Sequence, residues 1–112
     1  MSPTEIRAAT LAQLRATRTA MMSFEWLAQL ETEPQATKSA AARTLMRTQH
    51  AILKLENETL ADIRDKLIAN ESELAAGIDN VKRALKTIQN VKLVLEVVGA
   101  LLKVAAKVVT LI

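Results

Sequence analysis

Arg43, Arg47, His50 and Lys54 stand at spacings of four, three and four residues. At 3.6 residues per turn that spacing puts all four on one face of a helix. A row of cations suits contact with phosphate or with an acidic partner. No aromatic residue is interleaved among them and no nucleic-acid recognition motif surrounds them. Weak nucleic-acid binding is therefore only a third reading. The plainest reading is a solvated face opposite Leu45, Ile52 and Leu53.

A second set, Glu58, Asp62 and Asp65, shares a helical face and has the hard oxygen ligands a cation such as calcium prefers. Those charges are read more simply as ion partners of a neighbouring basic helix. His50 is the sole histidine, and there is no cysteine. The chain therefore has no Cys-His set and no carboxylate–histidine pair at ligand spacing. It also shows no glycine-rich phosphate loop and no nucleophile with a base at readable spacing. No catalytic, metal-binding or cofactor-binding residue is expected, and the chain reads as non-enzymatic. Nothing in the cysteine usage speaks for an oxidising compartment. The opening MSPTEIRAAT lacks the build of a secretion signal, so the expected location is cytoplasmic, with membrane association as the alternative.

These side chains must be carried by helices. Two prolines and two glycines in 112 residues leave almost no turn chemistry, and alanine, leucine and valine supply most of the apolar half of the chain. The expected fold class is all-α: an elongated three-helix bundle, or a long antiparallel hairpin with a shorter N-terminal helix, packed like a coiled coil. Residues 1–112 form one domain, with helices over 3–31, 33–69 and 73–112. Ser2-Pro3-Thr4-Glu5 is a capping box with proline at the first helical position. Thr32 to Pro34 marks the first break. Asn70 and Glu73 suggest a further capping box at the second, and Gly77 reads as a tolerated helical glycine. Phe24 and Trp26 are two residues apart and so point to different sides of the first helix. Phe24 suits the core, and Trp26 suits a rim, a subunit interface or a membrane boundary.

From Gln35 onward a column of apolar residues recurs every seven positions: Met46, Leu53, Leu60, Leu67, Leu74, Val81, Ile88, Leu95, Leu102 and Val109. Shallowly crossed helices pack on such a column. Charge is segregated: residues 34–54 sum to +4, 55–73 to −4 and 74–112 to +4. A hairpin turning near 71 lays acidic 55–69 against basic 74–88, with Glu56 and Glu58 beside Lys82, Arg83 and Lys86.

The last segment, 91–112, has sixteen apolar residues in 22. Lys92, Glu96, Gly99, Lys103, Lys107 and Thr110 make one polar stripe roughly 80° wide, which leaves most of the helix apolar. Near Asn90 the polar side of the chain shifts, so the helix must change partner, supercoil or kink there. An arc this wide exceeds what two neighbouring helices cover. The first expectation is thus an interaction or assembly protein, a homo-oligomer or a binder of partner helices. It would associate through Val91, Leu95, Val98, Leu102, Val109 and Ile112. The alternative is a small pore-forming or lysis-type protein. In that case helix 91–112 inserts as an oligomer, with Lys92, Glu96, Lys103 and Lys107 turned to a lumen. Many unrelated small bundles share this pattern, so it assigns no family.

Overall fold

A computed structural model describes residues 1–110. Leu111 and Ile112, the latter named above as an interface residue, lie outside the described residues. The described chain has six helices and no strand: α1 Pro3–Ala20, α2 Phe24–Glu31, α3 Gln35–Asn57, α4 Leu60–Ala69, α5 Glu71–Lys86 and α6 Val91–Ala105. The all-α expectation holds. The three long helices do not, because each is broken once more than expected.

The first helix starts as expected. The Ser2 hydroxyl accepts from the Glu5 amide at 3.2 Å, and the Ser2 amide donates to the Glu5 carboxylate at 3.0 Å. It ends early, at Ala20. Ser23 then caps a separate α2 by accepting from the Trp26 amide at 3.2 Å, while its hydroxyl donates to the Ala20 carbonyl at 2.7 Å. The break at 32–34 is where it was expected. Thr32, however, donates its hydroxyl to the Gln29 carbonyl, and Pro34 takes the N-cap position of α3 without a side-chain capping bond.

The expected helix 33–69 divides at Glu58 and Thr59, both extended, with ψ of 140° and 144°. The Arg7 guanidinium donates to the Glu58 carbonyl at 3.0 Å, and the Thr59 hydroxyl to the Asp62 carboxylate at 2.7 Å. Asn70 does mark the next break. It makes no capping bond at the start of α5, and its side-chain amide donates back to the Lys66 carbonyl at 2.8 Å. The helix expected over 73–112 separates into α5 and α6 at 87–90, where Thr87 and Asn90 are extended and the Asn90 side chain accepts from the Leu93 amide at 3.0 Å. That is the point at which the polar side shifts.

Short helices fold back on one another, giving extents of 44 × 26 × 18 Å. α5 packs most extensively on α6; α1 lies against α3, α4 and α5; α3 also packs on α6; and α2 rests on α3 and α6. The N-terminal helix is therefore central, not an appendage. It buries Thr10 and Thr17, whose hydroxyls donate to the Ile6 and Gln13 carbonyls at 2.8 Å. A threonine satisfied by its own preceding turn can be buried without an orphaned donor.

The expected pairing of acidic 55–69 with basic 74–88 is not formed. Acidic α4 and the end of α3 lie along α1, where Glu56 pairs with Arg15 at 2.9 Å, and α5 is turned to α6. The charge blocks pointed elsewhere because the near-balance of residues 1–33 hides α1 itself, which carries Arg7, Arg15 and Arg18 against Glu5 and presents Arg7 and Arg15 to this segment.

Candidate interaction surface

The C-terminal helix is not the exposed apolar surface that its composition suggests. Val91, Val98, Leu102 and Val109 are buried and Leu95 is partly buried within the chain itself. The expected subunit or lipid contact through them is corrected on this point. With the chain divided into six helices, α5, α3 and α2 together cover an arc that two long neighbours could not. The polar stripe does face outward: Lys92, Glu96, Lys103 and Lys107 are exposed, and Lys107 pairs with Glu73 at 3.0 Å. α6 has 15 residues, about 22 Å of helix against a hydrocarbon core of about 30 Å. Among the described residues no helix is long and apolar enough to cross a membrane.

The spacing-seven column is core from Leu67 through Val81 and again at Leu102 and Val109, but it leaves the core on α3. There Met46 is 70% exposed and Leu53 is 57% exposed. α3 buries Ala41, Thr48, Ala51, Ile52 and Leu55 instead. Met46 and Leu53 thus belong to the outer face, beside the basic row. Taking 100° per residue, the order around α3 is Leu53, Met46, His50, Arg43, Lys54, Arg47, all within about 120°. Arg43 and Arg47 are exposed, His50 and Lys54 half-buried, and among the described residues none of the four is paired with a carboxylate. The expected solvated face opposite Leu53 is therefore a mixed face that includes Leu53.

Two clefts border this face. On one side, between α3 and α6, an open cleft of about 240 Å³ is lined by Thr44, Arg47, Gly99, Leu102, Lys103 and Ala106. It brings one cation of the α3 row together with one of the α6 stripe, over walls kept low by glycine and alanine. On the other side, between α3 and α2, a mainly apolar groove of about 200 Å³ is lined chiefly by Trp26, Leu27, Leu30, Ala42 and Leu45, with Lys38 in its wall.

α2 reverses the expectation for its aromatics. Trp26 is 1% exposed and Phe24 is 85% exposed. They do point to opposite sides, but the larger ring is the one that anchors α2 to the core. Beside Phe24 stand Leu27 at 54% exposure and the exposed acid Glu31. No sequence signal chose between the two rings. Ser23, the residue that starts α2 and so sets its phase, was a weak hint.

The acidic set Glu58, Asp62 and Asp65 is not gathered. Asp62 is engaged by Thr59, and among the described residues no three His, Cys, Asp or Glu groups lie close enough to hold a metal ion. Comparison with family models, with curated proteins and with solved structures yields no match.

Proposed function

We propose that the protein is a non-enzymatic helical interaction module that binds an acidic, amphipathic protein segment across the outer face of α3. One observation carries this reading. Met46 and Leu53, two large apolar side chains one heptad apart, are left in solvent beside three cations, Arg43, Arg47 and Lys54, on a chain that largely buries its most apolar helix. An isolated exposed leucine needs no explanation, but an apolar pair flanked by unpaired charge of one sign has the composition of a binding face. The apolar pair supplies contact area, and the basic row selects acidic partners and speeds encounter. The Arg47 and Lys103 cleft offers a seat for a carboxylate at the edge.

The test is titration of the protein with an acidic amphipathic helical peptide, followed by amide chemical shifts and calorimetry. The expected result is shifts confined to α3 and its two flanking clefts, binding that weakens with added salt, and loss of about tenfold or more in affinity for Met46→Ala with Leu53→Ala. Shifts centred on α6 or on α4, or binding that a neutral peptide of the same pattern reproduces, would refute it. Duplex DNA serves as the competitor. If it binds with a steep salt dependence while the peptide does not bind, the basic row is a phosphate surface.

A further inference from the structure

We infer that the acidic segment is supplied by a second copy of this chain, with the α2–α3 face forming a two-fold dimer interface; this rests on the reading of α3 as a binding face. Residues 38–55 of α3 carry Lys38, Arg43, Arg47 and Lys54 and no acid. Residues 21–37 carry Glu25, Glu31 and Glu33 and no base. The two stretches are adjacent in sequence and their helices are adjacent in the fold. The surface they share runs from one charge to the other. At one edge lie Arg43, Arg47 and Lys54. Then come Met46 and Leu53, then the groove floored by Ala42 and Leu45 with half-buried Lys38 in its wall, then Leu27, and at the far edge Glu31 beside Phe24.

Within one molecule the two edges do not meet. The connection at 32–34 is too short, and α2 is fixed by Trp26 with its acidic side outward. A two-fold axis between the edges solves this. It lays the acidic edge of each copy on the basic edge of the other and presses the two apolar centres together. A surface that is acidic at one edge, apolar in the middle and basic at the other is self-complementary in the sense an isologous contact requires. Using both contacts at once also matters for area. One eight-residue helix covers far less than the roughly 1,200 Å² of a stable interface, and a two-fold pair doubles what it covers.

The experiment is sedimentation velocity on the whole chain with two surface variants, Arg43→Glu with Arg47→Glu, and Glu31→Arg; Glu25 is left alone because it faces Lys86 across a separate cleft. All three positions are exposed, and circular dichroism checks that each variant keeps its helix content. The wild type is expected at twice its 12.3 kDa mass. Each variant alone sets like charge on like and should run as a monomer, its dissociation constant raised about a hundredfold. Mixed in equal amounts, the two should form a dimer again, because both contacts are then opposite in sign. A monomeric wild type that still binds the acidic peptide would overturn the second copy as occupant and leave the α3 reading standing. A dimer indifferent to both variants, or variants that stay monomeric when mixed, would also overturn it.

Discussion

At the scale of single residues, two glycines with the same helical setting differ in what surrounds them. A Cβ on Gly77 would lie 3.1 Å from Leu101 Cδ1 and 3.6 Å from the Leu101 backbone, with Leu101 fully buried. A Cβ on Gly99 meets nothing within 4 Å. Alanine at either place gains about 0.5–1 kcal/mol from reduced unfolded-state freedom and better helix propensity. At Gly99 that gain should appear in full in denaturant unfolding. At Gly77 overpacking against a leucine with nowhere to move costs about 1–3 kcal/mol, so the net change should be destabilising. The sequence showed Gly77 as a glycine a helix tolerates. Its purpose, the close approach of α5 to α6, depends on a contact 24 residues away. Glu5 was fully legible, since its partner is three residues off. Hydrogen bonds from Ser2, the backbone amide first, hold its carboxyl below the usual carboxylate range. A depressed folded value means the contribution is present above the unfolded carboxylate pKa and is lost as pH falls through the depressed one. Acidification should therefore loosen the first turn of α1, seen in the Ser2 and Glu5 amide shifts, and Glu5→Gln should flatten that response.

At the scale of elements, breaks with a proline or a tight local cap could be read, and breaks made by tertiary contacts could not. Pro34 announced itself. At Thr59, by contrast, the unbroken heptad column through Leu53, Leu60 and Leu67 reads as continuous helix. What fixes the break is Arg7 of α1 holding the Glu58 carbonyl, a partner 51 residues away. The charge blocks misled for a related reason. They sum over stretches, whereas pairing is decided by which few side chains face the junction. Two predictions follow from the pairing observed. Arg15 and Glu56, about half-exposed, should show a coupling of about 0.2–1 kcal/mol in a double-mutant cycle. Glu56 and Lys86 should be additive; a measurable coupling there would restore the hairpin with acidic 55–69 beside basic 74–88. Trp26 is the only buried residue of α2, so Trp26→Ala should release this helix at a cost of about 3–5 kcal/mol, with loss of amide protection in α2 before the rest.

At the scale of the whole molecule, the number of helices decided where the apolar surplus went. Half the chain is hydrophobic, and three long rods would have left one side of residues 91–109 uncovered. With short helices, α5, α3 and α2 cover that segment, and the most exposed apolar groups carried by helices lie on α2 and α3, where Phe24, Leu27, Met46 and Leu53 stand among segregated charges. Leu102 distinguishes the two arrangements. Were the C-terminal helix the subunit contact, truncating Leu102 would halve the mass and leave each monomer's stability nearly unchanged. Leu102 is instead buried between α3 and α6 at 5% exposure, beside the cleft that Arg47 and Lys103 share. Leu102→Ala should then cost about 2–5 kcal/mol in denaturant unfolding of a dimer-deficient background such as Glu31→Arg, which lies away from the Leu102 cleft. It should leave the mass of the otherwise wild-type chain unchanged at concentrations well above the dissociation constant. The opposite pairing, a lost dimer with intact monomer stability, would return the interface to α6. The background is needed because dimer formation adds its own stabilisation by mass action, and only in the monomer does the change report the core alone.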